Sequence, residues 1–378
     1  MARERTAEET SLDRTLRARS ADGALYEKLE GARVKCHACA HRCVILDGHD
    51  GICKVRFNQG GTLRVPRGYV AGLQVDPIEK KPFYHAFPGA EALSFGMLGC
   101  DFHCDYCQNW LSSQTLKDVE ATSAPRDASA ADLVALGRRR GAPVVVSTYN
   151  EPLITAEWGV EVFQEARKAG MTCGFVSNGH ATPEVLRYLK PHADLYKVDL
   201  KSFQDKAYRS LGGRLAPVLD SIRMLRELGF WVEVVTLVVP GFNDSEAELR
   251  DMARFLAGIS PDLPWHCTAF HPDYRMTEPP PTTVSQLIRA CELGREEGLR
   301  YCYAGNLPGR VGNWENTCCP RCSRQLVRRH GFQVLSCDLD GGRCPGCREP
   351  IAGFWSSDCH VPAEAGAAAK ALVSSLGT

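Results

Sequence analysis

The sequence predicts an α/β protein built on a partial (β/α)6 barrel, preceded by a Cys-rich extension and followed by a small cysteine-knuckle module. Three observations predict this. Between residues 91 and 312, short β-branched runs alternate with longer amphipathic segments. Polar residues recur just past the carboxyl end of each run. The 18 cysteines fall mostly into three groups, at 36–53, 100–107 and 318–359. In a chain of 378 residues, clustered cysteines read as metal or cluster ligation and not as a disulfide framework.

Residues 1–90 form the extension. Its opening stretch, MARERTAEETSLDRTLRARS, carries charges of both signs and no apolar core of the kind a secretory signal needs, so it reads as a solvated, partly helical lead-in to a cytoplasmic protein. KCHACAHRCVILDGHDGICKVR then places Cys36, Cys39, Cys43 and Cys53 within eighteen residues. Four thiolates can close either a zinc tetrahedron or a second [4Fe-4S] cubane, and spacing does not choose between them. His37 and His41 are expected to be solvated. TLRVPRGYV, punctuated by Gly and Pro, reads as short strands.

From residue 91 the units follow in order. ALSFGMLG is a strand, followed by the helix ASAADLVALGRRR; PVVVSTY precedes TAEWGVEVFQEARKAG; MTCGFVSN precedes TPEVLRYLKPH. DLYKVDL precedes RLAPVLDSIRMLRELG, WVEVVTLVVPG precedes DSEAELRDMARFLAGI, PWHCTAFH precedes TTVSQLIRACELGREEG, and RYCYAGN closes the series. Helix-length crossovers imply a parallel sheet, since each must return the chain across the sheet face. Such sheets meet their ligands at the carboxyl ends of the strands. At those ends stand Cys100, Asn150-Glu151, Ser177-Asn178, Asp199 and Lys201, Asn243-Asp244, and His271.

Residues 313–360 carry Cys319-x2-Cys322, a hairpin-like stretch, and Cys344-x2-Cys347. Two knuckles joined by a hairpin form a zinc-ribbon or rubredoxin-like site, with zinc expected ahead of iron. Cys318, Cys337 and Cys359 fall outside the knuckles, and Cys173, Cys267, Cys291 and Cys302 read as small buried hydrophobes. The tail, 361–378, is Ala-rich. Lys+Arg 45 against Asp+Glu 45 argues against general nucleic-acid or anionic-membrane binding, and the apolar runs are too short to span a bilayer.

The central group is the most informative. GMLGCDFHCDYCQNW sets Cys100, Cys104 and Cys107 as C-x3-C-x2-C, enough for three irons of a cubane and leaving the fourth open. Zinc in a closed site needs a fourth protein ligand, for which His103 is the candidate. With an aromatic, Tyr106, before the last cysteine, this loop resembles that of the radical S-adenosylmethionine (SAM) superfamily. The resemblance implies a [4Fe-4S] cluster whose open iron is chelated by SAM, one-electron cleavage of SAM to a 5′-deoxyadenosyl radical, and hydrogen abstraction from a substrate. Carried over by position, Asn150-Glu151-Pro152 matches the motif that receives the methionine amino group, with Glu151 forming the ion pair, and Ser177 and Asn178 contact ribose or carboxylate. Asp199 and Lys201 match the DLK motif of pyruvate formate-lyase-activating enzymes, and Tyr106 and His271 belong to the cofactor site.

DPIEKKPFYHAFPG, GCDFHCDYCQNW, SNG, DLK, AFHPDYRMTEPPPT and YAGNLPG…NWENT together resemble the radical enzymes that accompany Memo and AMMECR1 proteins. That branch implies Memo-like and AMMECR1-like partners and a reductant such as flavodoxin or ferredoxin. Two other readings stand beside it. A glycyl-radical-enzyme activase is one, weakened because no cysteine lies between Cys107 and Cys173 to hold an inserted cluster pair. A non-catalytic iron–sulfur or zinc electron-transfer or scaffold protein is the other.

Overall fold

The computed structural model describes residues 11–355, so the Ala-rich tail and Cys359 lie outside the described residues. Each predicted run is a strand: Glu91–Gly96, Val144–Ser147, Thr172–Ser177, Leu195–Asp199, Trp231–Val238, Trp265–Ala269 and Cys302–Gly305. They pair in parallel, in sequence order, within one eight-stranded sheet. The eighth member, Gly72–Pro77, comes from the extension and lies antiparallel to Glu91–Gly96 at the sheet edge. The connection between them, residues 78–90, holds one short 3-10 turn, Ile78–Lys80, and no crossover helix, so the chain folds back beside its own strand.

The strands read as near-continuous apolar runs because both faces are covered. Val144, Val145 and Val146 are fully buried, as are Cys173 and Cys267. The intervening helices are Ala130–Arg139, Ala156–Lys168, Pro183–Leu189, Leu215–Glu227, Glu246–Ile259 and Val284–Glu296, and four of them start at a side-chain cap. Ser129 pairs with Asp132, and Thr283 with Gln286, in reciprocal capping boxes, while Thr182 and Ser245 each accept one orphan N–H. No helix among the described residues is long and apolar enough to cross a membrane.

Ahead of the sheet, residues 20–66 form two three-stranded antiparallel sheets around the first cysteine group. Behind it, Thr317–Cys318, Gln325–His330 and Gln333–Cys337 make a third. This last piece is fastened to the rest through buried polar contacts. Arg329 reaches Glu79 at 3.4 Å, the Tyr84 carbonyl at 2.8 Å and Thr317 at 2.9 Å, and its guanidinium stacks 4.2 Å from the Tyr84 ring centroid. His85 donates Nδ1–H to the Ala352 carbonyl and accepts from the Tyr303 hydroxyl at Nε2, while its own carbonyl accepts from Phe354.

Burial pulls the His85 imidazole down to about 4, so it folds neutral. Stability from that neutrality is complete above the ordinary histidine value of ~6.5 and is lost as pH falls through about 4. The His85 share amounts to about 3 kcal/mol by linkage. Denaturation midpoints measured from pH 7 to pH 4 should therefore fall less steeply in His85→Gln than in the parent chain.

Candidate active site

The loop after Glu91–Gly96 turns sharply at Gly99, whose φ is +90°. An ideal Cβ there would stand 3.1 Å from the Cys53 carbonyl oxygen and 3.0 Å from Val55, so only glycine allows the two loops to touch. Cys100, Cys104 and Cys107 follow, and the loop is tied down from behind. Lys117 Nζ donates to the carbonyls of Cys100 at 2.6 Å and Phe102 at 3.2 Å, and Gln114 adds a bond to Phe102. Sulfur atoms are already addressed by donors: Phe102 N–H to Cys100 Sγ at 3.4 Å, and Ser113 Oγ beside Cys107 Sγ at 3.2 Å. Burial pushes the Cys104 thiol up to about 12. A metal must therefore displace the proton for these groups to serve as thiolates.

The three cysteines line a cavity of about 410 Å³ at the carboxyl ends of the strands. Tyr106, Asn150, Glu151, Ser177, Asn178, Asp199 and Lys201 line the same cavity. Glu151 is 2% exposed and accepts from Ser177 Oγ and from the Asn178 N–H, both at 2.7 Å, and from the Leu153 N–H at 3.1 Å. Burial and the nearby Asp101 charge push its carboxyl up despite those donors. An ammonium group entering the cavity would restore its charge. Burial also works against the Asp199 carboxyl, but Lys197 and Lys201 override it and hold it at about 2. That charged trio gives the wall both signs within one strand end.

Three placements depart from expectation. His271 is exposed at the rim, bonded to Gln108 at 3.0 Å, and does not line the cavity. Its strand ends two residues earlier, so the loop carries it outward. His103 packs on Gly212, whose ideal Cβ would lie 2.6 Å from Nδ1, so it does not turn back to complete a zinc site with the central cysteines. His37 and His41 are not solvated. His37 meets Arg42 at 2.9 Å, and His41 turns inward to within 3.9 Å of Asp101, because the cysteine loop folds against the sheet.

Two residues escaped the sequence reading, Lys197 in the cavity wall and Asp101 behind it. Lys197 was legible, since in KVDLK the period-2 alternation puts Lys197, Asp199 and Lys201 on one face. Asp101 was not, because a residue between two ligand cysteines reads as spacer. It is 1% exposed and binds Asn178 Nδ2 at 2.8 Å, with His180 at 3.4 Å.

The cysteine groups differ in spacing. Among the described residues, the ligand atoms of Cys319, Cys322, Cys344 and Cys347 all lie within 4.8 Å of one another. Their sulfurs pair at 3.5 and 3.6 Å, close to the ~3.8 Å edge that Zn–S bonds of 2.3 Å set in a tetrahedron. These four residues fit a single metal ion. The turn of the hairpin beside them brings Phe332, 38% exposed, to the mouth of the central cavity.

Residues 96–256 match the family model described as the radical SAM superfamily. Over 334 residues the chain is 36% identical to an uncharacterised protein of Methanocaldococcus jannaschii, covering 87% of this chain and 98% of that one. It is 31% identical over 139 residues to an isethionate sulfite-lyase activating enzyme of Oleidesulfovibrio alaskensis, covering 34% of this chain and 43% of that one. The chain belongs to the radical SAM superfamily. A pyruvate formate-lyase-activating enzyme of Clostridium pasteurianum is 22% identical over 179 residues, 46% of this chain and 71% of that one. This radical SAM protein is an enzyme of oxidoreductase type, and its family implies a [4Fe-4S] cluster and SAM. The incomplete thiolate set on an open cavity fits that cofactor pair.

Proposed function

We propose that this radical SAM enzyme reductively cleaves SAM and abstracts a hydrogen atom from a substrate admitted to the central cavity. The observation that carries the reading is one cavity lined by three cysteines, which form no closed ligand group among the described residues, and by Glu151, Ser177, Asn178, Asp199 and Lys201. Bound there, the cluster and SAM would supply the electron and the hydrogen-abstracting group.

The residues of the chain do the positioning. Cys100, Cys104 and Cys107 hold three irons, and Phe102 N–H and Ser113 Oγ tune the sulfurs by hydrogen bonding. Glu151, held by Ser177, Leu153 and Asn178, takes the amino group of SAM, and Asn150 fixes the strand-end turn by accepting from Met97 N–H at 3.1 Å. Asp199 and Lys201 face the polar remainder of the cofactor, with Tyr106 as the apolar floor. His271 acts from the rim. We read the sheet as a partial barrel spanning 91–312, the segment 1–90 as the support of the first cysteine group, and 313–360 as a zinc-holding module. A reductant of the flavodoxin or ferredoxin type supplies electrons, and the motif resemblance favours Memo-like and AMMECR1-like proteins as partners.

Anaerobically reconstituted enzyme with dithionite should bind SAM in calorimetry and release 5′-deoxyadenosine. Absence of both would leave the electron-carrier reading. The activating-enzyme names among the relatives favour a second reading, activation of a glycyl radical protein. A glycyl EPR doublet on incubation with candidate proteins would support it.

A further inference from the structure

We infer that Cys36, Cys39, Cys43 and Cys53 hold a second [4Fe-4S] cluster in electron-transfer contact with the one on Cys100, Cys104 and Cys107. The inference deepens the radical SAM reading and rests on it.

All four cysteines line one small closed cavity together with Arg56 and Ile154. Yet no three of their sulfurs lie within 4.8 Å of one another, whereas the four C-terminal sulfurs all do. One ion cannot reach ligands spread wider than its tetrahedral edge. A cubane can, since each thiolate takes a different iron. The central trio provides an internal standard. Those three sulfurs, at the site where the family places a cubane, also fail to come within 4.8 Å of one another. The N-terminal group follows the cluster pattern and departs from the single-ion one.

The same cavity holds an unpartnered donor. Arg56 is 1% exposed, and its two terminal nitrogens are satisfied by Glu157 at 2.7 and 2.8 Å. Its Nε has no partner, and the residue lines the cysteine cavity. A buried N–H is costly to leave unpaired, and sulfide or thiolate sulfur of a cluster would accept from it.

The two cysteine loops are neighbours: the Cys53 carbonyl lies 3.1 Å from where a Cβ on Gly99 would stand, so the loop holding the fourth N-terminal ligand runs beside the residue before Cys100. Asp101, next along, sits in a buried group with His41 and His180, and His41 belongs to the N-terminal loop. In the proposed step one electron leaves a low-potential flavodoxin- or ferredoxin-class donor, reduces the N-terminal cluster by one, and passes to the central cluster. No atom is transferred.

The test is metal and sulfide content together with EPR. Unmutated, reconstituted enzyme should contain about eight acid-labile sulfides per chain, and about four would overturn the proposal whatever metal the C-terminal site takes. The combined variant Cys100→Ala, Cys104→Ala, Cys107→Ala should keep about half the sulfide and a reducible EPR signal. Zinc in place of that cluster would overturn the proposal. Contact has its own readout: the spectrum of the fully reduced unmutated enzyme should show magnetic interaction absent from the triple variant. A spectrum unchanged by the neighbouring cluster would refute the contact. Failure of the radical SAM reading would look different, as an unmutated enzyme whose spectrum does not respond to SAM.

Discussion

Replacing Cys104 by alanine should eliminate 5′-deoxyadenosine formation. Cys104 is the most buried of the three central cysteines by exposed surface, at 7%, and lies between the other two in the loop. Its loss leaves two thiolates, too few for the cluster, and His103, which packs on Gly212, does not replace it. Changing mere outer partners of metal ligands costs ~10–100-fold, so removing a ligand should cost at least about 100-fold. The measurement is chromatographic 5′-deoxyadenosine per chain, with iron and sulfide determined on the same sample. Cys318→Ala is the control. That half-buried cysteine belongs to no ligand group among the described residues and should leave product formation unchanged. Turnover by Cys104→Ala at the parent rate would remove the basis for the proposed function.

The second large effect concerns stability. Arg329→Met should cost about 1–3 kcal/mol, because it leaves the buried Tyr84 carbonyl and Thr317 hydroxyl without their donor and Glu79 to take up a proton. Both side chains are 0% exposed, and burial already pushes the Glu79 carboxyl up to about 7 although Arg329 opposes the shift. Adding Glu79→Gln should restore part of the loss, since a neutral amide tolerates burial better than a charge. Chemical denaturation of the three variants decides it. A loss below about 1 kcal/mol in Arg329→Met would mean that the pair does not fasten the C-terminal module.

Much of the sheet was readable because parallel strands buried on both faces leave unbroken apolar runs separated by helix-length spacers. The seven runs from ALSFG to CYAG carry that signature without help from distant contacts. Gly72–Pro77 does not: it is polar and Pro-ended, and it becomes a sheet member only because Glu91–Gly96 is available to pair with it. The cavity residues at strand ends could be named from position alone. Asp101, His41 and His180 could not, since their roles arise where a loop from the extension lands on the sheet, a contact no local pattern records. Cysteine spacing along the chain told where metals sit but was silent on nuclearity. The separation of sulfur atoms in space carries that information, and it differs between the N-terminal and C-terminal groups.

The hairpin that brings Phe332 to the cavity mouth lies outside the segment matched by the superfamily pattern. Residues that line one cavity are thus drawn from different stretches of chain, Cys100, Cys104, Cys107 and Glu151 from the matched segment and Phe332 from a hairpin beyond it. A substitution at the hairpin turn therefore alters one wall of the cavity while leaving the cysteine loop untouched.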